Sequence, residues 1–97
     1  MAKGYWVAHV DVDDMDTYRK YIAANAAPFA EYGARFLVRG GQRQLREGQA
    51  RQRTVVIEFD SYEIAQACYD SVSYQDAKAI RDPVSTGDMV IVEGHDG

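Results

Sequence analysis

An α+β domain with one four-stranded antiparallel sheet and its helices on a single face is what this 97-residue sequence predicts. Two observations lead there. The elements run strand, helix, strand, strand, helix, strand, which is the split βαβ order. Four strand-like stretches are apolar on both faces, yet the chain holds helix enough to cover only one face. The second observation carries its own expectation, that a second copy of the chain closes over the other face as a homodimer. Residues 1–97 are read as one domain, because a chain this short supports a single core.

The strands are Gly4–Val12, Arg35–Arg39, Thr54–Phe59 and Met89–Glu93, rich in Val, Ile, Tyr, Trp and Phe and bounded by Gly, Asp or Ser. Alternation sorts their side chains into two rows. One row, Trp6, Ala8, Val10, Phe36, Val38, Val55, Ile57, Phe59, Val90 and Val92, is wholly apolar and is expected to face the helices. The other, Tyr5, Val7, His9, Arg35, Leu37, Arg39, Thr54, Val56, Glu58, Met89, Ile91 and Glu93, is mixed. A four-stranded sheet of ordinary strand length projects about 340 Å². A bare mixed face of that size rivals the largest patches tolerated on monomers, about 300–600 Å², so closure by a two-fold partner is expected.

The first helix is expected from Asp14 to Tyr32, with Asp13 or Asp14 as N-cap and Gly33 as the C′ residue. Its stripe is Met15, Tyr18, Ile22, Ala26, Phe29 and Tyr32, and Pro28 breaks or kinks its interior. The second helix starts at Ser61, is interrupted over Ser71–Ser73, resumes from Tyr74 to Arg81 and ends at Asp82–Pro83. Residues 84–88 read as a loop. Gly40–Arg53 reads as an extended hairpin with Gly48 near its tip.

The segments Lys3–Val12, Tyr18–Tyr21, Tyr32–Gly41, Val55–Phe59, Ser73–Lys78 with Arg81, and the VIVEG run near the end together resemble the domain of unknown function family 1330. The resemblance spans nearly the whole chain. It implies a ferredoxin-like fold of sheet order 4-1-3-2 that assembles as a dimeric α/β barrel, two sheets facing each other. The wider barrel superfamily includes cofactor-free monooxygenases, haem-binding enzymes, isomerases and ligand-binding regulatory modules, and fold alone does not choose among them.

Three groups of residues are candidates for function. His9, Glu58 and Arg39 are expected on adjacent strands of the mixed face. A carboxylate beside an imidazole would orient a base, and an Arg would clamp an enolate or carboxylate. The plainer reading of the same trio is a structural ion-pair cluster. Tyr18, Tyr21, Asn25, Phe29, Tyr69 and Tyr74 are expected to line a cleft between helices and sheet, where hydroxyls and an amide would orient a small carbonyl or aromatic ligand. Ordinary core packing is the alternative for each Tyr. Gly40 and Gly41, beside Arg39, would form an anion nest or simply a sharp exit from the strand.

Other classes are disfavoured. A formal net charge of −4 argues against nucleic acid as main partner. Six of the eight arginines fall between Arg35 and Arg53, without the interleaved aromatics of a nucleic-acid surface. No run approaches the ~20 apolar residues of a membrane span, and no signal peptide is seen, so a cytoplasmic protein is expected. The run Asp11–Asp16 lacks the Gly and Glu of a calcium loop and reads as helix capping. Cys68, His9 and His95 share no zinc-ligand spacing. Cys68 is expected buried and unreactive, and neither a metal nor a cofactor is expected.

Overall fold

The computed structural model describes residues 2–96. Its strands are β1 (Gly4–Val12), β2 (Arg35–Arg39), β3 (Arg53–Phe59) and β4 (Ser85–Glu93); its helices are α1 (Met15–Ala24), α2 (Ala26–Glu31), α3 (Tyr62–Asp70) and α4 (Val72–Arg81), with a 3₁₀ turn at Asp82–Val84. The sheet order is β2-β3-β1-β4, every neighbour antiparallel. Read from the other edge, this is the expected 4-1-3-2.

Local chemistry sets the helix ends. The Asp14 carboxylate accepts from the Thr17 amide at 3.2 Å and from its hydroxyl at 2.7 Å, starting α1. The long first helix is two. Asn25 separates α1 from α2, three residues ahead of Pro28, whose missing N–H leaves the Ala24 carbonyl without its helical donor. Gly33 follows α2 with φ +68°, the left-handed C′ geometry. Ser61 caps α3 through the Ile64 amide at 3.1 Å. Ser71 alone makes the next break: its hydroxyl donates to the Cys68 carbonyl at 2.7 Å and accepts from the Tyr74 amide at 3.1 Å, closing α3 and opening α4.

The core lies between the helices and one sheet face. Phe59, Ala65 and Cys68 are fully buried, and Trp6, Tyr74 and Ala77 nearly so. Trp6 organises it. Its indole N–H donates to the Ala65 carbonyl at 2.9 Å, and its ring meets Tyr74 at 4.8 Å and Phe29 at 5.3 Å, both edge-on. Such pairs add ~0.5–1.5 kcal/mol each beyond the area they bury. Burial pushes the Cys68 thiol up to about 12, as suits an inert core residue.

Four expectations about the strands and their connections are corrected. β4 begins at Ser85, so residues 85–88 are strand rather than loop. Its register pairs Ala8 with Met89 and Trp6 with Ile91. Met89 and Ile91 therefore face the helices, while Val90 and Val92 are 59% and 44% exposed on the other side. Both rows of this strand are apolar, so alternation could not choose between them; the 3₁₀ turn that sets Ser85 opposite Val12 does. In β2 the register shifts between Phe36 and Val38, a β-bulge. Beyond it the faces swap: Val38 pairs with Val56 on the open side, and Arg39 pairs with Val55 on the helix side. Finally, residues 40–52 form no ladder and are an open loop, not an extended hairpin.

The molecule measures 38 × 36 × 17 Å. A thickness of 17 Å accommodates one sheet and one helix layer, so the described residues provide no second layer over the other sheet face.

Candidate functional site

A cavity of about 510 Å³ lies between the helices and the sheet. Its apolar walls come from Trp6, Ala8, Val10, Phe36, Val55, Ile57, Met89 and Ile91 on the strands and from Ile22 and Phe29 on the helices. All six residues expected to line a cleft, Tyr18, Tyr21, Asn25, Phe29, Tyr69 and Tyr74, are on its wall.

The helices supply the polar groups. Tyr18, Tyr21 and Asn25 lie on successive turns of α1 and the break that follows it. The hydroxyls of Tyr21 and Tyr74 are 2.8 Å apart, a buried pair joining α1 to α4. Arg81, one heptad beyond Tyr74 on the same face of α4, donates to the Tyr74 hydroxyl at 3.4 Å and lies 5.5 Å from the Tyr21 ring centre. Burial, reinforced by Tyr21 and opposed by Arg81, raises the Tyr74 phenol above its ordinary range, and burial likewise raises Tyr18. Both phenols stay protonated near neutrality and serve as hydrogen-bond donors rather than bases. Asn25 is only 4% exposed, and its side chain makes no capping hydrogen bond to α2. Its amide is thus held at the cavity wall.

The strands supply the cations. Arg39 and Arg53 line the cavity from β2 and β3. The Arg39 guanidinium stacks 3.9 Å from the Phe36 ring centre. Arg53 lies 6.0 Å from the Tyr18 ring centre, and its Nε is buried without a hydrogen-bond partner.

The trio His9, Glu58 and Arg39 is not assembled. His9 and Glu58 do share the open face, but His9 pairs with Thr54 and Glu58 with Tyr5, about 13 Å apart along the strands. The bulge puts Arg39 on the opposite face from both. His9 Nδ1 instead meets the Thr54 hydroxyl at 3.0 Å. Glu58 accepts from Arg35 Nε and from the Tyr5 hydroxyl, each at 3.0 Å, and these hydrogen bonds, Arg35 first, hold its carboxyl below the usual range. Arg35 also reaches Asp60 at 3.0 Å. Glu58 thus sits in an ion-pair cluster with Arg35 and Asp60, in which neither His9 nor Arg39 takes part. The anion nest is absent too: the Gly40 amide donates to the Thr54 carbonyl at 2.9 Å, and neither Gly40 nor Gly41 is on the cavity wall.

The acidic run caps and braces rather than binds. Asp11 accepts from the Gln52 amide at 2.8 Å and pairs with Arg51 at 3.0 Å. Among the described residues, no cluster of three or more His, Cys, Asp or Glu side chains is placed to hold a metal ion, and no helix is long and apolar enough to cross a membrane.

Sequence reasoning missed Arg53, Arg81 and Lys78 on the cavity wall. For Arg53 a signal existed. It continues the row Val55, Ile57, Phe59 by one period, so its side chain had to face the helices. For Arg81 the seven-residue step from Tyr74 was the signal.

Fold and site together define a ferredoxin-like α+β protein with an aromatic, arginine-bearing cavity between its layers. The model described as a domain of unknown function (DUF1330) matches residues 3–95, and the chain belongs to that family. Among curated proteins, none matches the chain. Among solved structures, a protein of unknown function from Rhodopseudomonas palustris is similar with a TM-score of 0.77 at 11% identity, covering 99% of this chain and 85% of that one. A dimeric ferredoxin-like protein of unknown function from Thermobifida fusca is similar at 0.60 and 22% identity, covering 95% and 89%. SnoaB, a cofactor-independent oxygenase from Streptomyces nogalater, is similar at 0.64 and 11% identity, covering 100% and 97%. At these identities the likeness establishes the fold.

Proposed function

We propose that this chain is a homodimeric protein that binds a small organic molecule in the cavity between its helices and its sheet. One observation carries the reading: the cavity itself. Protein interiors are packed to crystal-like density, with few voids larger than a water. A hole of about 510 Å³ falls within the ~300–1,000 Å³ of small-molecule sites. Its lining has the character of such a site, apolar walls with a few convergent polar groups, here the Tyr21–Tyr74 hydroxyl pair, the Asn25 amide and three arginines.

The dimer half of the proposal rests on the open sheet face. Val38, Val90 and Val92 are exposed there beside Val7 and Val56. A two-fold partner laid sheet to sheet would cover this face and leave the cavity, on the opposite side, free to bind. The Thermobifida fusca protein of the same fold is described as dimeric, which supports a dimer here. A cytoplasmic setting belongs to the same proposal, since a lone buried Cys68 needs no oxidising compartment.

The test is thermal stabilisation by a panel of small carboxylic acids and aromatic carbonyl compounds. A ligand at a hundred times its Kd adds about 2.7 kcal/mol. A hit should saturate with one site per chain and shift the Trp6 indole resonance. Flat melting curves across the panel would favour a purely structural or regulatory dimer.

A second reading, a cofactor-independent oxygenase or isomerase, has support in the donor set around Tyr74. Two phenols kept neutral and Arg81 would steady an enolate oxygen. It draws no support from His9, which lies on the other face of the sheet. Oxygen uptake or isomer formation with a panel hit, lost in Tyr74→Phe while binding persists, would select it.

A further inference from the structure

Four cationic side chains, Arg39, Arg53, Lys78 and Arg81, line the cavity with Asp82; Asp88 is on its wall too, but its register opposite His9 turns its carboxylate to the open face. The carboxylates are already engaged. Asp82 takes Lys78 at 2.8 Å and Arg81 at 3.1 Å, and Asp88 takes Arg51 at 2.9 Å. Among the described residues, neither Arg39 nor Arg53 pairs with a carboxylate. Asp82 is shared by two cations, and the two with no carboxylate at all, Arg39 and Arg53, sit on the strand side, in a molecule whose net charge is −4.

Arg53 is the sharper of the two. Its buried Nε has no partner, and a buried donor on a charged group is costly to leave unmatched. The guanidinium end lies directly over Gly40: a Cβ there would run into Nη1 and push the guanidinium aside. Gly40 has φ +71°, so any other residue there would be strained as well. Arg39 lies over Phe36, 3.9 Å from its ring centre, and among the described residues its guanidinium has no carboxylate partner.

Resting on the binding reading above, we propose that the ligand is a small organic carboxylate with a flat apolar body, and that Arg53, assisted by Arg39, is its anion anchor. A carboxylate has two acceptor oxygens spaced to match one edge of a guanidinium. It supplies the acceptor that the Arg53 edge lacks and the negative charge that offsets the surplus. The body would lie against Trp6, Phe29 and Phe36, whose faces and edges form the adjoining wall.

The experiment compares benzoate and phenylacetate with benzamide and phenylacetamide, equal in shape but uncharged, by calorimetry and by the resonance of the Trp6 indole N–H. The carboxylates should bind wild-type protein more tightly than their amides by about tenfold or more, as expected for a charge-assisted bidentate pair. Arg53→Gln should bring that ratio to about one while amide affinity holds; Arg53→Lys, which keeps charge without the two-pronged edge, should fall between. Gly40→Ala, which displaces the guanidinium without removing it, should lower carboxylate affinity selectively and covers the case in which Arg53→Gln does not fold. Amides that bind wild type as well as the acids would overturn the anion anchor and leave the binding cavity standing. A ratio unchanged in both Arg53→Gln and Gly40→Ala would overturn it too. No binding by any of the four compounds would overturn the anchor and the cavity reading together.

Discussion

The two faces of the sheet carry similar residue types in opposite states. On the open face the polar groups are matched to one another: Arg35 with Glu58 and Asp60, Tyr5 with Glu58, His9 with Thr54, Arg51 with Asp11 and Asp88. The apolar groups between them, Val38, Val90 and Val92, are exposed. On the helix face it is the reverse. The apolar groups are buried, and Arg39, Arg53 and Asn25 are left without an ion pair or a cap. Unmet apolar surface calls for another surface, and unmet donors call for an acceptor. The proposed protein partner answers the first need and the proposed small polar-headed ligand the second.

The largest expected effect is on the open face. Replacing Val56 and Val90 by Asp puts carboxylates into the proposed sheet-to-sheet contact, and each counts twice in a two-fold interface. At several kcal/mol per buried unpaired charge, sedimentation should show the double variant as a monomer where wild type is a dimer. The cavity and its ligand affinity should persist. A variant that stays dimeric would mean the open face is not the interface. The next effect is on the helix face. Trp6→Ala removes the ring around which Phe29, Phe59, Tyr69 and Tyr74 are arranged. Loss of ~3–5 kcal/mol is expected from a buried Trp, read as a lower urea midpoint in a protein that is still dimeric below it.

The separation of the two faces was legible in the sequence only where one row was plainly more polar. In β1 and β3 the rows Trp6, Ala8, Val10 and Val55, Ile57, Phe59 contrast with neighbours such as His9 and Glu58, and the assignment holds. In β4 both rows are apolar, so the choice depended on where the chain leaves the 3₁₀ turn, which hydropathy does not encode. In β2 a bulge after Phe36 reversed the parity of Arg39, and the pattern RFLVR carries no Gly to announce it. The helical half of the cavity was readable because Tyr18, Tyr21, Asn25 and Tyr74 obey a helical period. The strand half depended on that bulge and on a strand starting one residue earlier than expected, at Arg53.

The matched and unmatched faces should also titrate differently, with the alkaline effect the larger. Tyr18 and Tyr74 are raised chiefly by burial. A phenol whose folded pKa lies above its unfolded value stabilises fully below about pH 10 and loses that contribution as pH climbs through the folded value. The urea midpoint should therefore fall above about pH 10. Tyrosinate absorbance for these two of the seven tyrosines should appear only as the chain unfolds. Phe at position 74 should flatten the alkaline slope, whereas Phe at position 5, on the open face, should leave most of it.

Glu58 gives the smallest effect and the finest discrimination. Its carboxyl is held low by Arg35 and then by Tyr5. A depressed carboxyl contributes stability that is present above its unfolded pKa of about 4.3 and lost as pH falls through the lower folded value. Glu58→Gln should remove that share of the acid-side slope. In a monomer the pair with Arg35 is open to water and screened, so the loss should fade with added salt. In a dimer closed over this face the same pair is shielded, and its salt dependence should weaken. Measuring the Glu58→Gln difference at low and high salt, in wild-type background and in the Val56/Val90 double-Asp background, therefore reads the covering of this face independently of mass. A salt response identical in the two backgrounds would mean that Glu58 lies outside the contact even if the chain is a dimer, and the partner would then have to sit towards the β4 edge, over Val90 and Val92.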